Sequence, residues 1–241
     1  MNIFEKVASY PSHVLGLLMS NPYRNGEYKF LKKHVAKFNN KSLIFDVGAN
    51  VGEYSEKILE FNPSVHIQCF EPIPDTFKQL TLNHKESNNV MLNNFALSNV
   101  MGSRSMYEYG KLNGRNSLEK HPDLISERTN KIETTLQTID HFCEVNKIDF
   151  IDYIKIDVEG HEVNVIKGAE KLIKEKKIGS IQFEYNYLWK NTSNTIEDVF
   201  TILSENYHIY RLTFWGKIAT KKFQKSLESF PSASNYIAIL K

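Results

Sequence analysis

Between Asp157 and Glu162 the chain reads Asp-Val-Glu-Gly-His-Glu, which places three carboxylates and an imidazole around one glycine, Gly160. Further on, Glu184 and Asn186 close a second apolar run, "SIQFEYN". Oxygen groups of this kind can take a proton from a hydroxyl. They can also hold a hard cation such as Mg²⁺ or Ca²⁺ in preference to Zn²⁺. Asp157 and Glu184 are the leading candidates for proton acceptor and, with Asn186, for ligands of a divalent ion. His161 is the second choice of general base and His121 the third. His161 reads equally well as a surface residue at a helix start, and Glu162 reads better as the cap of the helix that follows. Tyr185, Tyr187 and Trp189 offer either ring faces for a sugar or core packing.

A second constellation lies upstream, Asp46-Val-Gly48-Ala-Asn50-Val-Gly52. It is neither the G-x-G-x-x-G of dinucleotide folds nor a P-loop. Gly48 permits a tight turn and a close approach by a ligand. About 20 residues later Glu71 ends the apolar run "VHIQCFE", and Pro72 and Pro74 follow it. A carboxylate at that point can accept both hydroxyls of a ribose. A glycine turn and an acid at that distance, without a phosphate-binding residue, suit a nucleoside that lacks a pyrophosphate. S-adenosylmethionine is such a ligand. The plainer alternatives are a structural turn and an acid favoured at a helix start.

These residues need elements to hold them. Strand-like runs fall at 42–47, 65–71, 90–97, 153–158, 180–185, 208–213 and 235–240. Helical spacing falls at 53–61, 75–86, 161–173 and 195–206, the last with Thr195 as N-cap. The alternation predicts a mostly parallel sheet with helices on both faces. The segment 214–234 reads as a turn and loop, so the last two strands form a hairpin with one antiparallel strand at the sheet edge. Residues 1–40 read as an N-terminal helical extension, 41–241 as the main domain. Residues 98–137 read as an insertion that contains the strand-like "KIETTL". Ligands of such sheets bind at the C-terminal strand tips, where both constellations fall.

The chain has 241 residues, enough for one large α/β domain or two small ones. A 41% hydrophobic and 24% charged composition argues against disorder over most of the length. The net charge of +2 is too small to argue for nucleic acid. Lysine clusters at Lys32, Lys33 and Lys37, at Lys171 to Lys177 and at Lys221 to Lys225 read as solvated faces. Two distant cysteines, Cys69 and Cys143, lack CxxC spacing, so the expectation is free thiols in the cytoplasm. The apolar stretch "VLGLLM" is too short to span a membrane and reads as no export signal.

The motifs "FDVGANVG", "FEPIPDTFKQL", "NFALSN", "NSL" and "IKIDVEGHEVNVIKGA" resemble those of the FkbM-type S-adenosylmethionine-dependent methyltransferases, over about residues 43–185. "QTIDHF" resembles the family's Thr-Leu-Asp segment, with Ile139 in place of Leu. The resemblance implies a Rossmann-like class I methyltransferase fold with a seven-stranded sheet. It implies that Asp46, Gly48, Asn50 and Gly52 meet the methionine and ribose side of the cofactor, Glu71 the ribose hydroxyls and Ala96 the adenine. It implies that Asp157 and Glu159 stand at the reaction centre, and that Asn116 and Ser117 lie near the substrate. The expected reaction is O-methylation of a hydroxyl on a sugar, glycan or polyol metabolite, with a divalent cation as an optional helper. The competing readings are a methyltransferase acting on nucleic acid or protein, a non-catalytic cofactor-binding module, and an NAD-dependent oxidoreductase, which the absent G-x-G-x-x-G disfavours.

Overall fold

A computed structural model describes residues 21–120, 129–229 and 234–241. Its main sheet contains β1 (Leu43–Val47), β2 (His66–Phe70), β3 (Val90–Asn93), β7 (Tyr153–Ile156), β8 (Ser180–Tyr185), β9 (Tyr207–Thr213), β10 (Gly216–Ala219) and β11 (Ser234–Leu240). The spatial order is β10-β9-β11-β8-β7-β1-β2-β3. β1 is parallel to β2 and β7, and β7 is parallel to β8. These central strands are buried along almost their whole length because both faces are covered, although Asp46, Lys155, Ser180, Gln182 and Glu184 lie in them. On one face pack α1 (Glu27–Val35), α2 (Glu53–Phe61) and α3 (Pro74–Asn83), through Leu31, Ile58 and Leu80. On the other pack α4 (Ile139–Asn146), α5 (Glu162–Lys167), α6 (Glu170–Lys174) and α7 (Ile196–Leu203), through Phe142, Val165, Ile173 and Phe200.

The sheet has eight strands where seven are expected, because the segment read as loop contains β10. The sheet does end on an antiparallel edge strand, but it is β10, paired with β9, and not the last strand. β11 lies between β8 and β9 and runs antiparallel to both. Its residues Ser234 to Ala238 are buried, as an interior position requires. The run 90–97 also divides. β3 ends at Asn93, and β4 (Ala96–Leu97) leaves for a second, three-stranded sheet with β5 (Gly102–Glu108) and β6 (Asn130–Gln137), in the order β4-β6-β5. The helix expected over 161–173 breaks between α5 and α6. There Gly168 lies so close to the end of β4 that a Cβ on it would sit 2.0 Å from the Ser98 carbonyl oxygen. Thr195 caps α7 in a reciprocal capping box with Asp198. Cys69 and Cys143 are buried free thiols. Among the described residues no helix is long and apolar enough to cross a membrane.

Candidate active site

The tips of β1, β2, β7 and β8 converge. The Asp157 amide donates to the Val47 carbonyl, and the Gly48 and Ala49 amides donate to Phe70. Gly48 has φ +80, and a Cβ there would lie 1.9 Å from the Asp157 carbonyl oxygen. Glycine is therefore required by the neighbouring strand tip, whatever binds beside it. Gly52, with φ +95, is required by α3, since a Cβ would meet the His84 ring at 2.3 Å. Asn50 takes the left-handed conformation, φ 49, which asparagine tolerates better than most residues. Its amide donates to Glu71 Oε2 at 3.1 Å, and the Ile73 amide donates to Oε1 at 2.8 Å. Glu71 thus ties two strand tips together. Burial pushes its carboxyl up to about 7, although the two amides pull it down.

Beside Glu71 opens a cleft lined by Phe70, Phe95, Ala96 and Leu97 and by Asn113, Gly114 and Asn116 of the inserted segment. Three polar atoms of its wall, Asn50 Oδ1, Thr76 Oγ1 and Asn116 Nδ2, are buried without a hydrogen-bond partner. Buried polar atoms are nearly always paired, so these three ask for a ligand. An apolar lining, an acid between two amides and orphaned donors and acceptors fit a nucleoside such as that of S-adenosylmethionine. Ala96 and Gly48 line this cleft, and Gly52 and Asp46 do not.

A second, polar pocket shares Gly48, Asn50 and Asp157 with the first. Here Asp157, Glu159 and Glu184 each bring an oxygen within 4.8 Å of the others. Burial first, then the charges of Asp157 and Glu159, push Glu184 well above the usual carboxylate range. Burial with Asp157 and Glu162 raises Glu159 to about 8. Facing them is Lys155, only 3% exposed, whose Nζ lies 2.8 Å from Asp157 Oδ2 and 3.6 Å from Glu27 Oε1. Burial alone would lower the ammonium's pKa, but Asp157, Glu27 and Glu184 outweigh it and hold Lys155 charged. Glu27 reaches in from α1, braced by Gln182 Nε2 at 2.6 Å. Asp46 lies in the same wall, accepts from Ser55 Oγ at 2.6 Å and is raised by burial to about 6.

Several expected residues take other positions. Asn186 offers no oxygen to an ion: its carbonyl accepts from the Leu188 amide, and its NH₂ turns to Glu159 and Glu184 at 3.0 and 3.2 Å. Glu159 takes its place in the oxygen cluster. His161 is buried rather than on the surface, and both ring nitrogens are engaged, Nδ1 with Glu119 Oε1 at 2.8 Å and Nε2 with Ser98 Oγ at 2.9 Å. So held, it joins the inserted segment to the α5 start and has no free nitrogen for a substrate proton. Ser117 is fully buried and donates to the Glu159 carbonyl at 2.7 Å, so it is a strut for the left-handed Glu159 (φ 54) and not a substrate contact. Asn116 faces the first cleft. Glu162 folds back to the Val158 and Gly160 amides instead of capping its helix. Tyr185 and Trp189 pack in the core, Tyr185 edge-on to Trp189 and Trp189 stacked on Phe183. His121 lies outside the described residues, and of Tyr187 only the backbone is described.

Two residues of this site have weak signals in the sequence. A lysine inside the apolar "YIKIDV" is anomalous for a strand covered on both faces, and that anomaly marks Lys155. Glu27 has no such mark, because only the tertiary fold brings α1 to β7.

Sequence comparison gives this geometry a family. The chain is 29% identical over 149 residues to the hexuronic acid methyltransferase AglP of Haloferax volcanii, a match covering 59% of this chain and 56% of the relative. It is 24% identical over 157 residues to the 2-O-methyltransferase NoeI of Sinorhizobium fredii, covering 60% and 63%. The chain therefore spans less than two thirds of either relative. The fold is similar to that of an FkbM methyltransferase from Methylobacillus flagellatus, with TM-score 0.53 at 13% identity, over 97% of this chain and 60% of the other. The sequence profile of the methyltransferase FkbM domain matches residues 46–212, and with its Rossmann-like methyltransferase fold the chain belongs to that family.

Proposed function

We propose that the protein transfers a methyl group from S-adenosylmethionine to a hydroxyl of a sugar, glycan or polyol. The observation that carries this reading is that Asp157 lines both clefts, the apolar one beside Glu71 and the acidic one beside Lys155. A group in that position sees donor and acceptor together. When bound, the sulfonium cofactor supplies a methyl group already activated for displacement.

The chain's residues then bind, orient and move one proton. Glu71 accepts the ribose hydroxyls, Asn50 and Asn116 supply polar contacts, and Ala96 and its neighbours pass the base. The acceptor enters the acidic pocket, where positioning does most of the work. Its hydroxyl proton passes to Asp157, the member of the acidic group with 41% of its side chain exposed. Lys155 holds one Asp157 oxygen, so the other is left for the acceptor. Glu184 lines only the acidic pocket and ranks second as base. Glu159 positions Asn186 and Glu184. The Asp157, Glu159 and Glu184 oxygens suit Mg²⁺ or Ca²⁺, but the Lys155 ammonium already supplies positive charge beside Asp157, so the reading needs no ion. The relatives' names, a hexuronic acid methyltransferase and a 2-O-methyltransferase, support a sugar hydroxyl as acceptor.

The test is transfer from methyl-labelled cofactor to a panel of neutral and acidic saccharides. A labelled saccharide, with turnover reduced more than tenfold in Asp157→Asn, is expected. Transfer to RNA or protein alone, or turnover in Asp157→Asn within tenfold of wild type, contradicts the proposal.

A further inference from the structure

The β9–β10 hairpin carries a surface that methyl transfer does not use. Phe214 and Trp215 in its turn and Ile218 in β10 are 55%, 87% and 59% exposed. Such large apolar side chains scattered singly need no explanation, but three on one hairpin mark an interaction site. Below them runs an open groove lined by Lys29, Lys33, Lys37, Lys217, His34 and Trp215. Among the described residues none of these four lysines forms an ion pair. Lys29 lies over the Phe214 ring at 5.8 Å, and Lys217 over Tyr210 at 4.2 Å. The stretch 212–222 contains Lys217, Lys221 and Lys222 and no Asp or Glu. The acidic residue of α1, Glu27, points inward to Lys155. Crowding is visible in the titrating groups: burial, with Lys37 and Lys217, drives His34 down to about 4. Positive charges gathered without counterions are complementary to an anionic partner.

We propose that this hairpin docks the protein on an anionic membrane surface, with Phe214, Trp215 and Ile218 entering the headgroup layer and the lysines meeting lipid phosphates. Reversible anchoring of this kind takes two signals, apolar side chains and a basic patch, and the hairpin has both. Nucleic acid fits less well. A base would stack on Trp215 but has no use for Ile218, which does not line the groove. A protein partner fits less well because interface cores are depleted in lysine. The hairpin also adjoins the acidic pocket. Gly26 packs so tightly on it that a Cβ would lie 2.0 Å from the Thr213 carbonyl oxygen, and Asn25 and Glu27 on either side line the pocket. Docking would hold the mouth of that pocket near the lipid surface, whatever the acceptor.

The experiment is cosedimentation of the full chain with phosphatidylcholine vesicles, with and without about one third phosphatidylglycerol. Partitioning roughly tenfold stronger on the anionic vesicles, weakening with salt, is expected. Phe214→Ser/Trp215→Ser and Lys29→Glu/Lys33→Glu should each weaken it about tenfold, with melting temperatures near wild type because these side chains are exposed. Tryptophan emission should shift to the blue on binding in wild type and not in Trp215→Ser, since Trp189 is already buried. No vesicle binding, equal binding to phosphatidylcholine alone, binding unchanged in the hairpin variant, or retention by RNA or heparin without vesicle binding would each overturn the proposal.

Discussion

Glu184→Gln should make the protein relatively more stable as the pH rises. Glu184 and Glu159 are both raised, mainly by burial and then by neighbouring carboxylates. The folded chain therefore holds protons that the unfolded chain has released. Stability from a raised carboxylate is full below its ordinary value, near 4.5, and is lost as pH climbs through the folded value. For Glu159 that window runs from 4.5 to about 8, and for Glu184 it extends above the usual carboxylate range. A midpoint moved from 4.5 to about 8 corresponds to a ceiling of about 5 kcal/mol at about 1.4 kcal/mol per tenfold change in proton affinity. Sharing of protons within the cluster and screening through the open pocket keep the contribution of either carboxylate below that ceiling. Gln removes one ionisation and keeps an oxygen for Asn186. In urea melts at pH 5, 7 and 9 the stability of Glu184→Gln relative to wild type should grow across the series, by less than the Glu159 ceiling. A difference that stays constant, or shrinks with pH, would refute the reasoning and mean that the three carboxylates are ionised and solvated.

Three other outcomes follow from the same geometry. Gly48→Ala should cost at least about 3 kcal/mol in urea melts, or prevent soluble expression, because the new Cβ meets the Asp157 carbonyl oxygen at 1.9 Å. Lys155→Met should lower stability by about 3 kcal/mol at pH 7, because it leaves the buried Glu27 and the half-buried Asp157 without their cation. Removing divalent ions with a chelator should leave methyl transfer to the identified acceptor within about twofold of control, since Lys155 supplies the charge. A collapse restored by Mg²⁺ would place an ion on Asp157, Glu159 and Glu184.

Much of this was legible before folding. The alternation of apolar runs and helical spacing located every central strand, and Glu184 and Asp157 meet because β7 and β8 pair as neighbours. Thr195 marked a helix start by local chemistry alone, and the structure adds Asp198 as its capping partner. The less legible features depend on distant partners. β11 looked like an edge strand from its hairpin-like spacing. Its nearly continuous apolar run, Tyr236 to Leu240, was the sign of an interior place. His161 looked reactive by type and the resemblance set Ser117 near the substrate, yet their partners, Ser98 and Glu119 for one and the Glu159 carbonyl for the other, come from other elements. Glu27 belongs to a helix upstream of the residues that match the family profile, and only the packing of α1 on the sheet brings it to Lys155.

The most direct test of the account is calorimetric titration of S-adenosylhomocysteine into the wild type and into Glu71→Ala, with both shown to be folded. Micromolar binding to the wild type that weakens at least about tenfold in the variant is predicted, from the loss of hydrogen bonds to a charged acceptor. No binding to the wild type, or equal binding to both, would contradict a nucleoside held between the β1 and β2 tips.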